Sequence, residues 1–323
     1  MNMIQLLKES ETRSLTKDEA IRLLHIDNRS DLFYELIKTA NKMTRVQYEN
    51  KAYIFSQIGL NAEPCSKNCK FCSMAMSNYA MKGEFRRTMK DIEDLRQTVE
   101  DLVAAGTHDL FLMTTADYPI DEFLKIGADI KSILPDHVRL VANIGDFDED
   151  VARALCDIGF TGAYHICRLG EGRDTDITPE RRIMTLDVIR NSGLELYYCV
   201  EPIGPEHTYE ALADEMLRAR EYNVKAMAVM RRTPVPGTPF EKKGMISACE
   251  LAKIGAVTRI VSKPSRSMNA HEVTPMTLIS GINQLYAEIG ANPRDNTKET
   301  ANNRGYGVTK TIQLLKDAEF EIA

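Results

Sequence analysis

Three cysteines crowd into eight residues of this chain, Cys65-Ser-Lys-Asn-Cys69-Lys-Phe-Cys72, in the spacing C-x3-C-x2-C. Thiolates so close in sequence bind metal, but structural zinc wants four ligands, and no fourth Cys or His lies at ordinary spacing beside the triplet. Three thiolates can instead take three irons of a [4Fe–4S] cubane and leave the fourth iron open, to be bound directly by an amine and a carboxylate. The chain has seven cysteines, an odd number, which fits metal or redox chemistry in a reducing compartment better than a disulfide frame.

Other residues with chemical potential lie on short apolar runs. Cys167 and Cys199 fall on two such runs, with His165 and Arg168 beside the first. Arg231 and Arg232 end another, where two guanidinium groups could clamp a carboxylate; adjacent strand residues point to opposite faces, so one of the two is expected to reach the interior. Cys156 and Cys249 sit in amphipathic helix patterns and read as packing residues. Met74, Met76 and Met81 follow the triad and could shield a cluster.

The elements that position these residues alternate regularly. Helical periodicity covers 16–25 and 31–48, and apolar runs then recur at 52–60, 110–115, 139–144, 163–168, 194–201, 226–232, 267–271 and 284–289. Eight strands with helices between them predict a (β/α)8 TIM-type barrel with an N-terminal helical extension: residues 1–50 as a cap of the same domain and 51–323 as the barrel. Asp146 before 148–157 and Thr178-Pro179 before 180–191 mark helix starts, and Gly159 and Gly193 mark helix ends. The triad directly follows the first strand, at the carboxyl-end face where barrel active sites lie.

Composition narrows the function classes. With 41 basic and 47 acidic side chains the formal charge is −6, which offers no broad field for nucleic acid. No apolar stretch approaches a membrane span and the first residues lack the apolar core of a signal peptide, so a cytoplasmic protein is expected.

The triad spacing with Phe71 just before the third cysteine resembles the signature of the radical S-adenosylmethionine (SAM) superfamily. The resemblance implies a [4Fe–4S] cluster on Cys65, Cys69 and Cys72 and SAM as cofactor. In that superfamily the reduced cluster sends an electron into the SAM sulfonium, and the resulting 5′-deoxyadenosyl radical takes hydrogen from an unactivated carbon. The likeness is closest to the biotin synthase group, through Tyr53-Ile-Phe-Ser-Gln-Ile-Gly-Leu-Asn61 and the stretch Gly307 to Phe320. By that resemblance Thr114 and Thr115 would meet the SAM amino group, in a turn without the group's glycine. Glu171 would hold the ribose hydroxyls, Arg182 the methionyl carboxylate, and Gly204 would let backbone approach the nucleoside.

Biotin synthases carry a second cluster on cysteines of strands two, three and five and an arginine of strand seven. Here strands two and three have no cysteine. Cys167 lies on strand four, and Cys199 lies two residues past the family position, which keeps the strand face and shifts the thiol about 6.6 Å along it. Arg266 falls close to the family arginine, so Cys167, Cys199 and Arg266, bordered by His165, Arg168 and His271, are the expected auxiliary Fe–S site. The resemblance implies sulfur insertion into a dethiobiotin-like small molecule, a reducing flavodoxin or ferredoxin as electron partner, and allows a homodimer. Alternatives are lipoyl-type sulfur insertion, a maturase or methylornithine synthase-like reaction that needs only the SAM cluster, and a non-catalytic Fe–S carrier.

Overall fold

The computed structural model describes residues 2–78, 92–271, 273–287 and 306–323. Eight parallel strands close into a barrel: β1 (Lys51–Gly59), β2 (Asp109–Met113), β3 (Arg139–Asn143), β4 (Gly162–Tyr164), β5 (Glu195–Ile203), β6 (Ala226–Arg231), β7 (Ser267–His271) and β8 (Gln284–Ala287). Each pairs with the next, and β1 pairs with both β2 and β8, which closes the ring. A short β9 (Glu321–Ile322) adds to the start of β1. Each expected strand is present; positions 288–289 of the last one lie outside the described residues, as does Met81.

Helices fill the connections: α1 (Met3–Ser10), α2 (Lys17–Leu24) and α3 (Asp31–Gln47) before the barrel, then α4 (Ile92–Ala105), α5 (Ile120–Ile133), α6 (Glu149–Ile158), α7 (Pro179–Asn191), α8 (Tyr209–Glu221), α9 (Ala248–Ser262), α10 (Pro275–Leu278) and α11 (Val308–Asp317). Helix α9 is buried along almost its whole length because α3 and α2 pack over it. Arg259 on α9 reaches Thr44 and Gln47 of α3, and Lys253 reaches the Ile26 carbonyl, so the leading helices are tied to the barrel by buried hydrogen bonds as well as apolar area.

Two local readings of the sequence are corrected. The N-cap of α6 is Asp148, whose carboxylate accepts from the Val151 amide at 3.1 Å; Asp146 turns inward to Arg182 and Thr185. Strand β4 stops at Tyr164, not 168. The Cys167 amide donates to the Tyr198 hydroxyl at 3.3 Å, and this side-chain bond takes the place of a ladder bond to β5. Thr178 and Pro179 open α7, and Gly159 ends α6 at φ 103°, as expected.

The apolar residues divide into two layers. A large outer layer lies between strands and helices. Inside the barrel Phe55, Phe111, Val141, Tyr197 and Ala226 form a separate aromatic cluster. Below it the barrel floor is polar: fully buried Asp109 receives Arg266 at 2.6 Å, Gln284 at 2.6 Å and the Tyr197 hydroxyl at 3.3 Å.

Candidate active site

The cysteine loop leaves β1 at the carboxyl end of the barrel and folds back on itself. The Cys65 amide donates to the Met74 carbonyl at 2.7 Å, and the Cys72 amide to the Cys69 carbonyl at 3.0 Å. Neighbouring loops hold it in place. The Lys70 amide donates to the Asp174 carbonyl, the Asp176 amide to the Lys67 carbonyl, and Ser66 to the Asp117 carboxylate through both amide and hydroxyl. Met74 is buried beneath the loop, whereas Met76 points to solvent and cannot shield a cluster.

Cys69, Phe71 and Cys72 line the mouth of a cavity of about 240 Å³ that runs into the barrel. Burial pushes the Cys69 thiol up to about 12, against the pull of the nearby Arg168 guanidinium. Among the described residues no three His, Cys, Asp or Glu side chains converge as they would on a single metal ion. A cubane, whose three thiolates bind three different irons, is compatible with this loop.

Arg168 is the central cation of the cavity. Its Nε lies 3.5 Å from Glu201 and its Nη1 3.8 Å from Glu171, and the buried Nη1 makes no hydrogen bond among the described residues. Glu171 and Arg182, expected to contact separate parts of SAM, are paired with each other: Arg182 Nε to Glu171 is 3.1 Å and Arg182 Nη1 to Asp146 is 3.3 Å. Glu171 also accepts from Thr175 and from the Arg168 amide. Neither lines the central cavity, and both brace the loop after β4.

Thr114 and Thr115 are buried; Thr115 exchanges two bonds of 2.8 Å with Asn61, and Thr114 lines a smaller hollow of about 170 Å³ next to Gly145. Gly204 is required for a different reason from the one expected. A Cβ there would lie 2.3 Å from Arg232 Nη1 and 2.4 Å from Glu206, so the glycine admits an ion pair, not a nucleoside. Glu206 takes both Arg232 Nη groups and Phe240 lies beneath the guanidinium, while the buried Arg232 Nε has no hydrogen-bond partner among the described residues. Both Arg231 and Arg232 line the cavity mouth, where only one was expected.

The expected auxiliary site does not assemble. Cys199 faces the barrel interior among Tyr164, Glu201 and Arg168, whereas Cys167 faces outward to Tyr198, Glu215 and Arg218. The wall of the barrel separates them, because the chain leaves the β4 ladder at Tyr164 and turns Cys167 toward α8. Burial holds the Cys167 thiol up at about 12. Arg266 is not near either thiol but at the barrel floor, paired with Asp109 and stacked over Tyr53. His165 also points outward, 3.3 Å from Asp146, and burial drives its imidazole down to about 4. His271 alone of the bordering histidines lines the cavity, stacked on Tyr286 at 5.1 Å.

The sequence reading passed over the residues that line the cavity most fully: Phe55, Phe111, Tyr164, Tyr197, Tyr286 and Asn269. A signal was present for the last. A single asparagine between Met268 and Ala270 in an apolar strand is a buried polar group that needs a purpose.

No family model matches this chain. Among curated proteins it is similar to the biotin synthase of Clostridioides difficile (strain 630), 26% identical over 267 residues, covering 80% of this chain and 79% of that one. A biotin synthase of Carboxydothermus hydrogenoformans is 24% identical over 320 residues, 94% of each chain. Among solved structures, methylornithine synthase (PylB) superposes with a TM-score of 0.82 at 16% identity, over 100% of this chain and 97% of that one. HydG, a maturase of the [FeFe]-hydrogenase, gives 0.80 at 17% identity, over 98% and 75%. The chain is similar to curated biotin synthases over most of its length, at 24–26% identity. Its similarity to biotin synthase-like proteins extends along the barrel, and the cysteine loop stands at the mouth where barrel enzymes of many chemistries place their reacting groups. No helix among the described residues is long and apolar enough to cross a membrane.

Proposed function

We propose that this chain is a radical SAM enzyme with one [4Fe–4S] cluster, held by Cys65, Cys69 and Cys72, which transforms a small molecule in the barrel cavity without inserting sulfur. The observation that carries this reading is the inner wall. Among the described residues the only cysteines that line the cavity are Cys69 and Cys72 of the triad, and aromatic side chains fill its depth. A sulfur-donating cluster would need several ligands there. When bound, the SAM cluster supplies the electron that starts radical chemistry.

The chain's own residues do the rest. Arg168, which lines the cavity beside Cys69 and whose buried Nη1 lies 3.8 Å from Glu171 without a hydrogen bond, is the better candidate than Arg182 to hold the SAM carboxylate. Glu171, Arg182 and Asp146 keep the Arg168 loop in position. The closed barrel excludes water from the reacting carbon. Residues 1–50 act as a cap on the barrel.

A second reading, sulfur insertion into a dethiobiotin-like substrate, is favoured by the similarity to biotin synthases. Anaerobic reconstitution separates the two. We expect about four irons per chain, SAM-dependent 5′-deoxyadenosine, and loss of both cluster absorbance and SAM cleavage in Cys69→Ala. A clearly higher iron count that falls in Cys199→Ala would reverse the preference, and absence of 5′-deoxyadenosine would falsify the enzyme reading.

A further inference from the structure

Five polar atoms of the cavity lining have no hydrogen-bond partner among the described residues, on Arg168, Arg231, Arg232, Thr233 and Asn269, and those of Asn269 and Arg231 lie at different depths. Asn269, 2% exposed on β7, donates its Nδ2 to the Gln284 carbonyl at 2.9 Å, but its Oδ1 has no hydrogen-bond partner among the described residues. Arg231, at the end of β6, makes one long contact from Nη1 to the Ile246 carbonyl at 3.4 Å, and its buried Nε has no partner. Both residues line the cavity. A buried acceptor or cationic donor without a partner is costly, so each is a place where a ligand is expected to complete the bond.

The register fixes their separation in depth. Asn269 lies opposite Ala228 on β6, and Arg231 is three residues further along that strand. Three strand residues span about 10 Å. The acceptor is therefore deep and the cation shallow. Between them the cavity walls are aromatic: Phe55 meets Phe111 at 4.8 Å and Tyr286 at 5.6 Å, and His271 stacks on Tyr286. Such walls favour a flat ring, since aromatic contacts add attraction beyond the area they bury.

We infer that the substrate is an aromatic or heteroaromatic acid with a hydroxyl or amino donor across the ring from its acidic group. The donor binds Asn269 Oδ1 in the depth, the ring lies against Phe55 and Tyr286, and the anion meets Arg231 at the mouth. Arg232 is the weaker candidate for the anion, because Glu206 takes both its Nη groups and leaves only Nε, whereas Arg231 faces no carboxylate in an ion pair among the described residues. This assignment rests on the proposed radical SAM reading, whose substrate class it names.

The test uses the full chain, reconstituted and with SAM present, and reads binding by titration calorimetry. The probe is 4-hydroxybenzoate, compared with 4-hydroxybenzamide, which lacks the charge, and trans-4-hydroxycyclohexanecarboxylate, which lacks the flat ring. We expect 4-hydroxybenzoate to bind at least about tenfold more tightly than either. Arg231→Gln should weaken it about tenfold to a hundredfold and leave 4-hydroxybenzamide within about twofold. Asn269→Ala should weaken all hydroxylated probes, with benzoate unaffected; Asn269→Ser repeats the measurement if the alanine variant does not fold. Equal binding of the cyclohexane acid, or no binding of 4-hydroxybenzoate at millimolar concentration, overturns the inference. SAM cleavage is measured separately, so a chain that forms 5′-deoxyadenosine but binds none of these probes defeats this assignment and leaves the proposed function standing.

Discussion

The two ends of the barrel spend their charged groups in opposite ways. At the floor, Asp109 is fully buried and ringed by Arg266, Gln284 and Tyr197, while Arg139 and Lys225 share Glu195. Each of these acids has its base. Toward the mouth, Arg168, Arg231 and Arg232 keep buried donors that make no hydrogen bond among the described residues, and Asn269 keeps such an acceptor deeper in the cavity. Both ends are polar, so polarity does not mark the site. What distinguishes the cavity is that five of its lining polar atoms lack a hydrogen-bond partner among the described residues, which is costly unless a ligand completes the bond.

Asp109→Ala puts this contrast to its severest test. It leaves Arg266 facing an empty buried position, and removing one partner of a buried pair costs about 3–5 kcal/mol. Arg231→Gln at the mouth removes one weak bond and should change stability by less than about 1 kcal/mol. Denaturant titration of both variants checks the difference. Equal losses would mean that Arg231 is as much a part of the fold as Asp109.

A middle case is Gly204→Ala. The new Cβ strikes the tips of Arg232 and Glu206, which are side-chain ends and can move, though Phe240 limits how far Arg232 travels. We expect a loss of about 1–2 kcal/mol. The same change should raise the KM for substrate if Arg232 shifts into the space beside Arg231. An unchanged melting temperature would show that the ion pair at the mouth is looser than its geometry.

The barrel was legible because its signals are local and repeated. Apolar runs such as 226–232 and caps such as Thr178-Pro179 need only period and turn chemistry to be read. The cysteine loop was legible because three ligands lie within one loop. The second site was misread for a physical reason. Cys167 and Cys199 are on neighbouring segments, but one backbone bond diverted to the Tyr198 hydroxyl ends β4 early and rotates Cys167 out of the barrel. Arg266 was misplaced because depth along the axis, floor or mouth, depends on where β7 begins relative to its neighbours, which sequence pattern does not set. Arg182 and Glu171 pair across eleven positions, a contact that exists only once the loop after β4 has folded.

The N-terminal helices provide a reference away from both ends, where a saturated polar group is also exposed. Thr16 and Glu19 form a reciprocal capping box on α2, and Arg13 adds a second clasp on Glu19 at 2.6 Å. The Arg13 hydrogen bonds, with the Thr16 amide, hold the Glu19 carboxyl down at about 2. Its folded value is below the ordinary one, so its contribution is present above about pH 4.5 and is lost as pH falls through about 2. Solvent screening keeps that contribution small, under about 1 kcal/mol. Thr16→Ala should cost about 1 kcal/mol at neutral pH. Glu19→Gln keeps a side-chain acceptor for the Thr16 amide and should lose only the acid-sensitive part, so its stability relative to wild type should converge as the pH approaches 2. A Glu19→Gln deficit that persists at low pH would show that the clasp acts through packing of α2 on α8 and α9, and not through charge.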